Sequence, residues 1–105
     1  MTYPTISLRQ LDDYIRQDIR MQLIDLRSPE SYREGHVKGA VNIPFEELPE
    51  RIGELSGEMP LVIYCSRGGQ SMLACRDLTR LGYRSINVAS GFNFYKGEFF
   101  TAGDY

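Results

Sequence analysis

The sequence has few of the cysteine and histidine residues that hold zinc and no segment suited to a membrane. Its 105 residues include two cysteines, one histidine and no CxxC pair, which argues against a structural zinc site. No apolar run is long enough to span a bilayer, and the opening MTYPTISLRQ lacks the basic and apolar regions of a signal peptide. We therefore expect a cytoplasmic protein with no metal and no membrane partner, in which both cysteines stay reduced.

The sequence also lacks a strong excess of charge. Its formal net charge is −2, and no long basic run is present, so nucleic acid is not an expected partner. Apolar residues make up 42% and charged residues 25% of the chain, an ordinary mixture for a soluble protein. With no internal repeat or linker, residues 1–105 are expected to form a single domain.

Strand-like and helix-like segments alternate along the chain. Strands are predicted at 22–26, 40–44, 60–65 and 85–90, and the third is the most continuously apolar. Such alternation predicts an α/β domain with a mainly parallel sheet. In sheets of this kind, ligands bind beyond the carboxyl ends of the strands.

The predicted helices carry recognisable start and stop signals. Ser7 with Gln10 forms a capping-box pattern, and Ser28 followed by Pro29 is a second helix start that Gly35 can end. A third helix is predicted at 48–55. The fourth begins near Ser71, places Ala74, Cys75, Leu78 and Leu81 on one apolar stripe, and ends at Gly82.

The stretch YCSRGGQS, residues 64–71, places Cys65 where the most apolar strand ends and a helix is about to begin. Cysteine attacks as the thiolate, and inward-pointing loop amides together with a helix N-terminus favour that anion. Gly68 and Gly69 permit positive φ and close approach of a ligand to the backbone. Arg67 adds a positive charge for an anionic substrate. Ser71 can cap the helix and also donate its hydroxyl inward. The alternative is an ordinary turn with a small buried cysteine.

Four other side chains have two interpretations each. Cys75 lies on an apolar helix stripe, which favours a core position over a resolving thiol. His36 is either a base for Cys65 or a structural residue, and we favour the structural role because a nest of amides activates a thiol without a base. Asp25 and Arg27 follow a strand end, where they either reach the same rim as Cys65 or form an ion pair that holds their loop, the interpretation that we favour.

Four segments resemble, in order, the rhodanese family of sulfurtransferases. LIDLRSPESYREGHVKGAVNIP is similar to the family's first motif, LVIYCSRGGQS to its active-site strand with a six-residue loop, SMLACRDLTRLGY to the following helix, and INVASGFNFY to its closing motif. The first two segments together are highly specific. This resemblance covers most of the chain.

The resemblance implies a fold and a reaction. The fold is a three-layer domain with a five-stranded, mainly parallel sheet and helices on both faces.

Cys65 would be the catalytic residue and would carry a sulfur atom as a persulfide. The donor would be thiosulfate or another small sulfur-containing anion, and the acceptor cyanide, a thiol or a protein cysteine. No metal or organic cofactor is implied. The substrate-binding residues would be Ser66, Arg67, Gly68, Gly69, Gln70 and Ser71.

The chain departs from the family pattern at several positions. Many active relatives have a basic residue where this chain has Gln70, and here the arginine is Arg67 instead, which bears on donor preference. In the closing motif, Ser90 replaces a glycine and Tyr95 a tryptophan, changes that we expect to affect packing.

Two other functions are weighed against sulfur transfer. A phosphatase or arsenate reductase of related fold needs an arginine six positions after the cysteine, where this chain has Ser71. A non-catalytic protein-binding or sulfur-carrier module remains the alternative.

Overall fold

The computed structural model describes residues 2–103. Within this range the α-helices are α1 (Leu8–Arg16), α2 (Pro29–Glu34) and α3 (Gly69–Arg80). None of the helices in this range is both long and apolar enough to cross a membrane. The strands are β1 (Thr5–Ile6), β2 (Gln22–Asp25), β3 (His36–Val37), β4 (Val41–Asn42), β5 (Leu61–Tyr64), β6 (Ser85–Val88) and β7 (Phe100–Thr101).

Five strands form one parallel sheet in the order β1-β6-β5-β2-β4. All four residues of the central strand β5 are buried, because helices and turns cover both of its faces. The two remaining strands, β3 and β7, pair antiparallel in a small second sheet, with His36 opposite Thr101.

Side chains that alternate along the strands supply two separate cores. Leu23, Val62 and Tyr64 pack with residues of α1 and α2. On the opposite face, Ile24 and Ile63 pack with residues of α3 and of the segment before β5. The predicted α/β class, with a five-stranded sheet between helical layers, is confirmed.

The predicted caps of the first two helices are present. In α1 the Gln10 amide donates to the Ser7 Oγ, and the Ser7 amide donates to the Gln10 Oε1. In α2 the Ser31 amide donates to the Ser28 Oγ, and the helix ends before Gly35. Local hydrogen bonds therefore set both helix starts, as the capping patterns predict.

Two helix predictions are wrong. Segment 48–55 is not an α-helix; two 3₁₀ turns, Phe45–Glu47 and Ile52–Glu54, occupy this region. Gly53 disfavours a continuous helix there, while Leu48 and Leu55 still reach the core. The apolar stripe of α3 stops earlier than predicted, because Leu81 follows the helix and is 66% exposed.

The short strands β1, β3 and β7 are absent from the sequence-based prediction. Each has only two residues, too few to show an alternating pattern. Their pairing partners, which lie far away in the sequence, determine them.

Candidate active site

Cys65 directly follows β5, at the carboxyl edge of the sheet. Its Sγ accepts hydrogen bonds from the backbone amides of Gly68, at 3.1 Å, and Ser71, at 3.4 Å. The residue is only 2% exposed. Two amide donors and the N-terminal end of α3 therefore face one buried sulfur, an arrangement that favours negative charge on that atom.

The loop backbone reaches this geometry through a glycine. Gly68 has φ +96°, in the left-handed region, and α3 begins at the next residue. An L-residue other than glycine is strained at such a φ. Gly68 is thus the residue before the helix, and the prediction that Ser71 caps α3 is wrong. Ser71 instead lies inside the first turn, where its hydroxyl contacts the Gly68 carbonyl at 3.1 Å and the Asn87 Oδ1 at 2.6 Å.

A segment after β6 supports the loop from behind. The Phe92 amide donates to the Cys65 carbonyl at 2.8 Å, and the Asn93 amide donates to the Ser66 carbonyl at 3.0 Å. Gly91 has φ +83°, and a Cβ there would overlap the Ser66 carbonyl and the Arg67 nitrogen. These contacts leave the Cys65 and Ser66 carbonyls turned toward the supporting segment, while the Gly68 and Ser71 amides point at the sulfur.

The other predicted loop residues form the exposed side of the site. Ser66 is half-buried, whereas Arg67, Gly69 and Gln70 are exposed. Arg67 has no ion-pair partner among residues 2–103. Its charge is therefore available to an anion that approaches the loop.

Asp25 and Arg27 form a buried ion pair under the supporting segment. The Arg27 Nη2 lies 2.6 Å from the Asp25 Oδ2 and also donates to the Gly35 carbonyl at 2.6 Å. The Arg27 guanidinium lies 4.2 Å from the Phe92 ring centroid. Of the predicted rim residues, neither presents an exposed charge; the pair lies behind Phe92, whose amide holds the Cys65 carbonyl.

Cys75 and His36 are both buried away from solvent. Burial raises the pKa of the Cys75 thiol to about 12, and the neighbouring Cys65 adds to that rise. The His36 ring stacks on Tyr32 with 3.7 Å between centroids, and its Nδ1 lies 2.7 Å from the Tyr32 carbonyl oxygen. A carbonyl only accepts, so this Nδ1 carries a proton.

Sequence reasoning missed two residues that contact the loop or its side chains. Asn87 is a buried polar residue near the end of β6, one strand away from Cys65. Its position between Ile86 and Val88 at a strand end is a signal that could have drawn attention to it. Gly91 lies in the segment that resembles the closing motif, and nothing in its immediate sequence indicates contact with the loop. Among residues 2–103 no group of three or more histidine, cysteine, aspartate or glutamate side chains is arranged to hold a metal ion.

Comparison with known proteins identifies the family. The family model described as "Rhodanese-like domain" matches residues 7–98. The Bacillus subtilis protein YtwF, whose name describes it as a candidate sulfurtransferase, is 33% identical over 98 residues, which is 93% of this chain and 95% of YtwF. The Escherichia coli thiosulfate sulfurtransferase PspE is 40% identical over 70 residues, covering 65% of this chain and 67% of PspE.

Solved structures agree with this result at the level of the fold. A rhodanese-like domain protein from Staphylococcus aureus superposes with a TM-score of 0.86, at 21% identity, over 94% of this chain and 97% of its own. Together with the family match over most of the sequence, these similarities show that the chain belongs to the rhodanese-like domain family.

Proposed function

We propose that this protein transfers sulfane sulfur through a persulfide on Cys65. The single observation that carries the proposal is the buried Cys65 Sγ, which accepts hydrogen bonds from two loop amides at the start of α3. Such a setting favours a thiolate, the form of cysteine that attacks sulfur. Two of the relatives carry sulfurtransferase in their names, which supports the same reaction class.

The proposed reaction has two steps. First, the Cys65 thiolate attacks the outer sulfur of thiosulfate; the new S–S bond forms, the old one breaks, and sulfite leaves with the electron pair. Second, cyanide or a thiolate attacks the outer sulfur of the persulfide, and the Cys65 thiolate leaves with the electron pair of that bond. The amides of the loop hold the negative charge at each stage.

The donor is proposed to be thiosulfate or a small persulfide. PspE, which shares 40% identity over its aligned region, is named for thiosulfate. Arg67, exposed on the loop beside Cys65, offers a guanidinium for a sulfonate group. Gln70 leaves the usual basic position uncharged, so Arg67 is the side chain expected to bind the donor.

Mass spectrometry after incubation with thiosulfate tests the persulfide. We expect the peptide containing Cys65 to gain one sulfur atom, about 32 Da, in a state that cyanide reverses. The Cys75→Ala variant should gain the same mass and Cys65→Ala should not. If Cys75 carried the added sulfur, or if neither cysteine did, the proposal would be wrong.

Repeated turnover separates an enzyme from a sulfur-carrier module. An enzyme produces many thiocyanate molecules per chain when thiosulfate and cyanide are both in excess. A carrier releases one equivalent from preloaded protein and then stops. We expect multiple turnovers, measured as thiocyanate against time at several protein concentrations.

A further inference from the structure

A row of polar side chains leads from the Cys65 sulfur across two strands. The Ser71 Oγ lies 3.6 Å from the Cys65 Sγ and 2.6 Å from the Asn87 Oδ1. The Asn87 Nδ2 lies 3.5 Å from the Thr5 Oγ1. The first three residues of this row are buried, whereas Thr5 is exposed on an edge strand. The row therefore connects the reactive sulfur to the protein surface.

The order of strands creates this row. β6 lies between β5 and β1, so Asn87 has Ile63 beside it on one strand and Thr5 on the other. Asn87 sits among apolar neighbours, and a buried amide there is costly unless its oxygen and nitrogen both find partners. Ser71 and Thr5 supply those partners, one at each end.

While Cys65 is a thiol, each residue of the row donates a hydrogen bond to the next one, from the sulfur toward Thr5. The Ser71 hydroxyl has a single proton, and its shorter contact is the one to Asn87. The thiol therefore donates to the Ser71 Oγ, the Ser71 hydroxyl donates to the Asn87 Oδ1, and the Asn87 Nδ2 donates to Thr5.

A thiolate favours the opposite direction of these hydrogen bonds. The ionised sulfur only accepts, so the Ser71 hydroxyl adds a third donor to the two loop amides when its proton turns toward the sulfur. A half-turn of the Asn87 amide then lets the Nδ2 donate to the Ser71 Oγ, while the Thr5 hydroxyl donates to the Oδ1. Both hydroxyls and the amide can donate as well as accept, so every group in the row keeps a partner. The thiol proton leaves to solvent, and the Ser71 proton stays on its oxygen.

We propose that Asn87 is a positioning residue for Cys65, whose amide reverses to aim the Ser71 hydroxyl at the ionised sulfur. Because the bond to a charged acceptor is the stronger one, the row stabilises the thiolate more than the thiol. This inference rests on the proposed function, in which the thiolate is the attacking form, and it adds a residue that the loop itself does not contain.

The charged and titratable groups around the row do not obscure its effect. Arg67 lies on the exposed side of the loop and is the same residue in every variant compared, and Cys75 in α3 stays a thiol because burial raises its pKa to about 12. Asp25 and Arg27, beyond β5, form an ion pair without net charge. The strands β1 and β6 contain no ionisable side chain.

Ultraviolet absorbance of the thiolate, followed between about pH 5 and 9, tests the proposal without any sulfur donor. The Cys65→Ala variant supplies the baseline. We expect Asn87→Leu to raise the midpoint of ionisation by about 0.5 to 1 pH unit, a three- to tenfold loss of thiolate at fixed pH. In a Ser71→Ala background the same substitution should have no further effect, since the row is already broken. Ser85→Ala is the matched control, because Ser85 lies on the same strand with a buried hydroxyl that lacks a partner among the described residues.

An unchanged midpoint in Asn87→Leu would overturn the proposal. An equal shift in both backgrounds would also overturn it, because the effect would then bypass Ser71.

Protection of Cys75 from iodoacetamide shows that a variant is folded. If Asn87→Leu exposes Cys75, the Thr5→Val variant replaces it as the test. This isosteric change at an exposed position should raise the midpoint of ionisation by about 0.3 pH unit, a twofold loss of thiolate at fixed pH. No shift in Thr5→Val would reject the role of Asn87. Since the titration needs no donor, failure here leaves the persulfide test untouched, and the reverse also holds.

Discussion

At the residue scale, Arg67 and the loop backbone are expected to act on different steps. The amides of Gly68 and Ser71 contact the sulfur itself, whereas the Arg67 side chain is exposed. The backbone should therefore hold the sulfur, and the guanidinium should hold the donor before transfer.

Arg67→Ala should raise KM for thiosulfate while a preformed persulfide still passes its sulfur to cyanide. A hydrogen bond to a charged partner is worth about 1.5–3 kcal/mol, so we expect a ten- to hundredfold loss of kcat/KM. Arg67→Lys should recover part of it, because lysine lacks the planar fork. Arg76→Ala, which removes an exposed arginine outside the loop, is the control. Unchanged thiosulfate kinetics in Arg67→Ala would assign Arg67 to a different ligand.

His36 is expected to stabilise the fold and not to act as a base. Its ring is fully buried and stacks on Tyr32. His36→Asn should lower the free energy of unfolding by about 1–3 kcal/mol, measured in urea. Sulfur transfer per folded molecule should stay within about tenfold of the original. A loss as large as that of Cys65→Ala, in folded protein, would instead make His36 part of the chemistry.

At the element scale, the segment from Ser90 to Asn93 fixes the loop that precedes α3. Two of its amides bind the Cys65 and Ser66 carbonyls, and Gly91 lies against the peptide between Ser66 and Arg67. The loop geometry thus depends on residues about 25 positions away in sequence.

Gly91→Ala should displace the loop, and Gly82→Ala provides the matched control. Both glycines have positive φ, but a Cβ at Gly82 meets open space whereas one at Gly91 meets the loop backbone. Each substitution should cost about 1–3 kcal/mol through backbone strain, and Gly91→Ala adds the cost of its overlap with the loop. Only Gly91→Ala should also reduce sulfur transfer, by tenfold or more, because it moves the amides that face Cys65. Equal activity in the two variants would show that the loop holds its shape without this support.

The elements that local signals define could be predicted, and those that distant partners define could not. The capping residues Ser7 and Ser28 and the apolar run of β5 are readable from their neighbours alone. So is the placement of Cys65 at a strand end before a helix. By contrast, the contact between Gly91 and Ser66 and the row through Asn87 follow from strand order, which no local pattern records. The predicted 48–55 helix failed because its apolar spacing fits a packed 3₁₀ segment equally well.

At the scale of the whole molecule, buried ionisable groups make the fold sensitive to alkali. Burial raises the pKa of Cys75 to about 12 and also raises the pKa of Tyr64. Above the ordinary cysteine pKa of about 8.5, the unfolded chain loses the Cys75 proton while the folded chain keeps it. The folded state then binds more protons, so its stability falls as pH rises.

Cys75→Ala should flatten this alkaline loss of stability. One proton retained by the native state corresponds to about 1.4 kcal/mol per pH unit. Between about pH 9 and 11 the original protein should therefore lose roughly 2–3 kcal/mol more than the variant, measured as unfolding free energy in urea. The variant starts from a lower stability because a core side chain is truncated. The two proteins are therefore compared by the slope of unfolding free energy against pH. Parallel slopes would contradict the pKa assigned to Cys75.

The sheet order has a consequence for synthesis on the ribosome. β1 precedes the other strands along the chain, yet among the described residues its neighbour in the large sheet is β6, and the amides of Phe92 and Asn93 that hold the Cys65 loop come later still. A nascent chain that has completed α3 would thus carry Cys65 on a loop without its support. We expect the thiol to acquire its native surroundings only when the final part of the domain leaves the exit tunnel, so that folding and activation occur together after translation of the last strands.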